Sequence, residues 1–218
     1  MRWQWRLAWL FTYPLAKAFL GLRVVGREQL VPGGQIIAAN HTSNFDPLIL
    51  GWAAGRDVYF LAKEELFRYR PFAWLIKSWN ALPVGRSGID ISAIRSCGKL
   101  LKRKQTLVLF PEGTRSKNGK IGTFKSGVGM LAVMNRVPVV PARIFGLAQS
   151  IVSYWVDKDF VQQGLRRKPR SPVTIEVRFG FPVFPDDYEA NRLGYERLTA
   201  EVFRRVCALG ENLPLCQR

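Results

Sequence analysis

The sequence predicts an α/β fold: a single domain with a mostly parallel sheet flanked by helices, preceded by an N-terminal helix at a membrane interface. Three observations lead there. From about residue 34, short apolar runs alternate with stretches of helical length, and strand–helix alternation at this spacing builds a parallel sheet with helices on its faces. The runs are strand-like in length and composition, as in Gln-Ile-Ile-Ala-Ala at 35–39 and Thr-Leu-Val-Leu-Phe at 106–110. Finally, 218 residues with 48% apolar and 22% charged side chains can bury a core without disulfides or metal, which excludes a disordered tail or a fibre.

Strands are expected at 35–39, 58–62, 106–110, 139–144 and 173–179. Between them, 47–54, 72–79, 90–104 and 127–135 read as helices, and 189–209 as a last helix. The stretch at 90–104 shows the pattern. Ile91, Ile94, Leu100 and Leu101 form an apolar stripe, Cys97 falls near it as a small packing residue, and Lys102, Arg103 and Lys104 occupy the last turn, where the helix dipole favours cations. Residues 164–170 (GLRRKPR) read as a basic loop.

The first 26 residues are expected to be an amphipathic membrane-anchoring segment, with a catalytic domain over 27–218. Pro14 and Lys17 interrupt a stretch too short for the ~20 apolar residues that a spanning helix needs. On a helical wheel, Arg2, Arg6, Tyr13 and Lys17 make a narrow edge, while Trp3, Leu7, Leu10, Phe11, Leu15, Phe19 and Leu22 fill the rest. Such a helix lies in the interface instead of crossing it. A core helix, or a signal peptide with Lys17 inside its cleavage site, are the competing readings.

Charge and rare residues narrow the chemistry. With 33 Lys and Arg against 16 Asp and Glu, the chain carries a formal +17 and seeks anions: nucleic acid, anionic lipid, or phosphorylated and acidic-carrier substrates. Three cysteines without metal-type spacing speak against a disulfide framework. The single histidine, His41, excludes any site needing two histidines on a metal, and no metal is expected.

Ligands of open α/β sheets sit beyond the carboxyl ends of the strands, so the residues that follow each strand are the ones to read. The strand at 35–39 runs straight into Asn40-His41-Thr42-Ser43-Asn44-Phe45-Asp46-Pro47. Aspartate before proline reads as a helix N-cap. The same carboxylate can hold one imidazole nitrogen and leave the other free to take a proton. A plain cap and an ordinary loop histidine are the bland alternative.

The second loaded place is Phe110-Pro111-Glu112-Gly113-Thr114-Arg115-Ser116. Gly113 admits close backbone approach, Thr114 offers a hydroxyl, and Arg115 offers a planar fork suited to phosphate oxygens. Lys125, and Arg86 in Pro83-Val84-Gly85-Arg86, are further cationic candidates. A surface Glu112–Arg115 ion pair is the alternative. Two decoys fail. Gly113–Lys120 has five residues between its glycines where a P-loop has four, with Ile121 where Ser or Thr would bind magnesium, and no G-x-S-x-G elbow occurs.

Together, Asn40-His41-Thr42-Ser43-x-x-Asp46, the Phe110–Ser116 block and Val137-Pro138-Val139-Val140-Pro141 resemble the glycerolipid acyltransferases, most closely the 1-acylglycerol-3-phosphate acyltransferase (PlsC) family, over roughly residues 30 to 180. The resemblance implies membrane-bound transfer of a fatty acyl group from acyl-CoA or acyl-carrier protein to the hydroxyl of lysophosphatidate. It matches His41 to the catalytic histidine and Asp46 to its partner, and it places Glu112, Gly113 and Arg115 in acceptor binding. Arg86 and Lys125 match more loosely. No cofactor is implied beyond the acyl donor as substrate. The implied partners are lysophosphatidate, the donor and an anionic membrane surface, with peripheral or monotopic attachment at the cytoplasmic face of the cell membrane. Two rivals stand beside this reading: a relative acting on another acceptor (a lysophospholipid, a lyso-ornithine lipid or glycerol 3-phosphate), and a non-enzymatic basic module binding nucleic acid or membrane. Lys and Arg are spread along the chain instead of gathered on one recognition element, which speaks against nucleic acid.

Overall fold

The structure is a computed structural model that describes residues 3–85, 91–117, 120–170 and 172–211, with side chains from residue 9 onward except Phe72. Seven strands form one sheet: β1 (Arg23–Val25), β2 (Gln35–Ala39), β3 (Val58–Lys63), β4 (Ala81–Val84), β5 (Thr106–Leu109), β6 (Val139–Phe145) and β7 (Glu176–Phe179). Their order across the sheet is β1-β7-β6-β2-β5-β3-β4. Every neighbouring pair is parallel except β6 with β7, so the mostly parallel expectation holds.

The central strand β2 is buried along its whole length and alternates between two cores. Ile37 and Ala39 join one cluster, with Ile49 of α2 (Asp46–Ala54), Ile76 of α3 (Arg70–Ser78) and Ala16 of α1 (Trp3–Leu20). Ile36 and Ala38 join the other, with Cys97 of α4 (Ile91–Lys102), Leu131 of α5 (Gly127–Asn135) and Leu198 of α8 (Arg192–Ala208). Two further short helices, α6 (Ile151–Val156) and α7 (Lys158–Gln162), lead from β6 toward β7. The result is a three-layer arrangement in which helices cover both faces of the sheet.

Four differences from the sequence reading have physical reasons. Strands β1 and β4 were not expected: β1 has only three residues, and Pro83 stands inside β4, where an edge strand tolerates a missing N–H. Residues 23–25, counted within the expected anchor, therefore belong to the sheet. The inward stripe of α4 runs through Ala93, Cys97 and Leu101, whereas Ile91 is exposed, because the helix is turned relative to the expected stripe. Helix α1 is docked: Trp9 Nε1 donates to the Trp52 carbonyl, Trp52 Nε1 donates to Thr12 Oγ1, and Tyr13 faces Arg27 instead of sharing a solvent edge with Lys17. Its other face leaves Leu10, Phe11, Leu15 and Phe19 more than half exposed. Among the described residues no helix is long and apolar enough to cross a membrane.

Candidate active site

The turn after β2 starts with a device that ends the strand cleanly. Buried Asn40 pairs its side-chain amide with Ile144 in both directions, Oδ1 accepting from its N–H at 2.8 Å and Nδ2 donating to its carbonyl at 3.1 Å. One more rung is thus added to the β2–β6 ladder by a side chain, and the main chain is free to swing His41 out at the sheet's carboxyl end.

Asp46 then organises the loop. It is fully buried, and its Oδ2 accepts from Thr42 N–H at 2.6 Å, Ser43 N–H at 2.9 Å and His41 Nδ1 at 2.7 Å, while Thr42 Oγ1 donates to Oδ1 at 3.1 Å. The expected N-cap role is corrected by this geometry. Asp46 is the first residue of α2 and Phe45 holds the cap position, so the carboxylate turns back to the loop instead of capping the helix, with Pro47 in the first turn. An ionised carboxylate only accepts, so Nδ1 carries the proton of this contact, and in the neutral form of the ring Nε2 keeps its lone pair. The imidazole side chain is 19% exposed and lies flat against Phe110, with ring centroids 4.2 Å apart and planes 19° from parallel.

The loop after β5 grips the same histidine through its backbone. Glu112 is buried, with Oε1 accepting from His41 N–H at 2.8 Å and Oε2 from Gly122 N–H at 2.8 Å. Ser116 N–H donates to the His41 carbonyl at 2.7 Å. Glu112 is therefore neither a surface ion pair with Arg115 nor a group aimed at solvent. Gly113 takes a left-handed conformation (φ 72°), and a Cβ there would lie 2.8 Å from Lys125 Nζ, so glycine is what lets the lysine cross over the loop. Exposed Lys125 makes no ion pair among the described residues, and Thr114, next to Gly113 in the chain, is exposed. Arg86 falls outside the described residues.

Arg115 is brought to the same loop but is already engaged. Its Nη1 donates to Asp157 Oδ1 at 2.8 Å, both terminal nitrogens pair with Asp159, and its plane covers the Phe160 ring at 4.1 Å. Burial alone pulls its pKa down, but the bonds and charge of Asp159, followed by Asp157, outweigh this and raise it. Asp159 is in turn held below the usual carboxylate range, chiefly by its bond to Arg115.

Three residues absent from the sequence reading complete the surroundings. Fully buried Asp157 accepts from Asn44 N–H at 2.9 Å and from Ser153 Oγ at 2.7 Å besides Arg115. Arg166, from the stretch expected as a basic loop, is buried, donating to the Thr42 carbonyl and to Ser153 Oγ. Asp159 is the third. The one local signal was Ser150-x-x-Ser153 ahead of Asp157, where Ser150 caps α6 by accepting from Ser153 N–H at 3.2 Å. Among the described residues no group of three or more His, Cys, Asp or Glu side chains is placed to hold a metal ion.

A mostly parallel sheet with a carboxylate-braced histidine at its carboxyl edge, gripped by a Pro-Glu-Gly-Thr-Arg loop, defines the class of α/β acyltransferases. A family model described as Acyltransferase matches residues 21–145, and the chain belongs to that family. It is 30% identical over 211 residues to a probable 1-acyl-sn-glycerol-3-phosphate acyltransferase of Mycoplasma pneumoniae, covering 89% of this chain and 74% of the relative. It is 29% identical over 163 residues to the 1-acyl-sn-glycerol-3-phosphate acyltransferase of Cocos nucifera, covering 73% of this chain and 49% of that protein, so the chain spans about half the length of this relative. The crystal structure of the 1-acyl-sn-glycerophosphate acyltransferase PlsC from Thermotoga maritima is similar in fold, with a TM-score of 0.65 at 25% identity, covering 98% of this chain and 86% of that one.

Proposed function

We propose that this chain transfers a fatty acyl group from acyl-CoA or acyl-carrier protein to the sn-2 hydroxyl of lysophosphatidate, giving phosphatidate. The observation that carries the reading is the His41–Asp46 contact: Nδ1 is tied to a buried carboxylate at 2.7 Å, so Nε2 of a partly exposed ring is left to accept a proton. The names of the relatives support lysophosphatidate as acceptor.

The chemistry follows from what each group can do. A thioester is already activated, whereas the acceptor alcohol is a poor nucleophile at neutral pH. His41 Nε2 takes the hydroxyl proton as the oxygen attacks the thioester carbonyl, a contribution of about 10²–10⁴-fold for general-base catalysis. Asp46 fixes the tautomer and stabilises the imidazolium that forms. Collapse of the tetrahedral intermediate breaks the C–S bond, and the imidazolium returns its proton to the departing thiolate. No acyl-enzyme is part of the scheme. Glu112 acts as a positioning residue for the His41 backbone, and Lys125 supplies a cation for phosphate beside Gly113.

Attachment to the surface of an anionic membrane, peripheral and on the cytoplasmic side, is part of the same proposal. The exposed apolar face of α1, with Lys17 on its rim, supports it. The deciding experiment measures phosphatidate formed from lysophosphatidate and a labelled acyl donor by wild type and His41→Ala. The proposal expects a loss of about 10²-fold or more in the variant with the fold retained. Undiminished turnover in a folded His41→Ala protein would end it.

A further inference from the structure

Arg115 is the guanidinium of the loop that grips His41, and its fork is filled by two carboxylates of different kinds. Asp157 is fully buried and also serves Asn44 N–H and Ser153 Oγ, so removing it from Arg115 would disturb the histidine loop itself. Asp159 sits on α7 with its side chain 50% exposed and meets the terminal nitrogens edge-on, in the bidentate manner in which a phosphate meets an arginine. Phe160 holds the guanidinium plane in place from one face. One arm of the clamp is fixed and the other faces water.

We propose that Asp159 is a resting occupant of the acceptor seat: it fills the anion site of Arg115 in the free protein and is displaced by the phosphate of the acceptor, and so sets how tightly that phosphate is held. The idea rests on the function proposed above and goes beyond it in naming the group that an acceptor has to displace. A phosphomonoester carries about two negative charges near neutral pH, whereas a phosphodiester carries one. Exchanging Asp159 for a monoanion trades like for like, while exchanging it for a dianion gains charge attraction at a cation already anchored by Asp157. Arg115 therefore favours the phosphomonoester by charge, while Asp159 raises the concentration of either headgroup needed to fill the seat by one common factor.

Asp159→Asn tests this in two arms. In turnover, the KM for lysophosphatidate falls about three- to fivefold, the range for a half-exposed ion pair, and the KM for a lysophosphodiester falls by the same factor. In binding, calorimetry with soluble glycerol 3-phosphate shows the same tightening without any acyl donor, and an Arg115→Ala background abolishes the gain. A merely structural tie predicts the opposite sign, with looser binding or a lower melting temperature. Unchanged or weakened glycerol 3-phosphate binding in Asp159→Asn overturns the proposal. Absence of acyl transfer by wild type would instead sink the proposed function, and the binding arm would still read the seat.

Discussion

Asp46→Asn is the sharpest single test of the site, because the geometry separates its effect on folding from its effect on chemistry. Three donors, Thr42 N–H, Ser43 N–H and His41 Nδ1–H, converge on Oδ2, while Oδ1 meets only the Thr42 hydroxyl. An asparagine placed with its oxygen at the Oδ2 position keeps all three acceptor contacts. Its amide then donates to Thr42 Oγ1, which accepts by rotating its own hydrogen. Each N–H bond weakens by about 1 kcal/mol on losing the charged acceptor, and relief from burying a charge offsets part of this, so the fold loses about 2 kcal/mol. Catalysis loses more. The imidazolium that forms as the alcohol gives up its proton no longer has an anion beside it. At an effective dielectric near 20, two unit charges about 4 Å apart gain about 4 kcal/mol, which at about 1.4 kcal/mol per tenfold corresponds to a fall in kcat of about 10³. Thiol release from acyl-CoA at saturating lysophosphatidate reads kcat, and a parallel thermal melt reads the fold. The double variant His41→Ala/Asp46→Asn is expected to be no slower than His41→Ala, since the two residues act as a unit. A folded Asp46→Asn protein turning over within about threefold of wild type would refute the reasoning, because a base braced by that carboxylate cannot be indifferent to it.

Four further outcomes follow from other parts of the structure. Glu112→Ala leaves the N–H groups of His41 and Gly122 without acceptors, so it should cost about 2–4 kcal/mol of stability, read by denaturant titration, together with a fall in kcat. Gly129→Ala puts a Cβ 2.1 Å from the Tyr195 carbonyl oxygen where α5 packs on α8, and overpacking of this kind should lower stability by about 1–3 kcal/mol, seen as an earlier unfolding midpoint. Burial pushes the Cys97 thiol up to about 11, so the native protein should leave it unalkylated near pH 8, with labelling appearing only as pH rises toward that value or as the chain unfolds; rapid native alkylation of Cys97 at pH 8 would contradict its packing. Replacing Phe11, Leu15 and Phe19 by serine should weaken sedimentation with anionic vesicles at least tenfold while leaving the melting temperature nearly unchanged, because these side chains are exposed. Deleting the segment would be the poorer experiment, since Ala16 and Leu22 belong to the core.

The His41–Asp46 pair was legible in the sequence because everything that makes it is local: a strand end, a five-residue reach and a proline that starts a helix. The sheet's parallel character was legible for a similar reason, through runs such as 36–39 that are apolar at every position. What the sequence withheld is where a charged side chain spends its charge. Glu112 and Arg115 stand three residues apart with the look of a surface pair, yet one serves two backbone N–H groups and the other reaches Asp157 and Asp159 more than forty positions downstream. Arg166 carries no mark that separates it from Arg167 or Lys168, and only the fold shows that it turns inward to the Thr42 carbonyl while they stay exposed. Position in a motif reports which residues meet. Burial and pairing, which decide their electrostatics, depend on elements that no motif contains.

This distinction changes what the +17 charge accomplishes at the site. A basic chain with a phosphate-bearing substrate suggests an open cationic cradle, yet the guanidiniums nearest the histidine loop are both committed. Arg115 is held by two aspartates, and Arg166 is enclosed with Ser153 and the Thr42 carbonyl. Lys125, lying over Gly113, is the cation of this group with no carboxylate against it among the described residues. Long-range attraction from the spread of exposed Lys and Arg draws anions to the whole surface but, screened within about 8 Å at physiological salt, does not direct them to one place on it. On the proposal above, what an arriving headgroup meets at short range is the exchange at Arg115. On that proposal the two tasks are separated in space, with recruitment set by the exposed surface and affinity by a guanidinium whose exposed partner, Asp159, an incoming headgroup must displace.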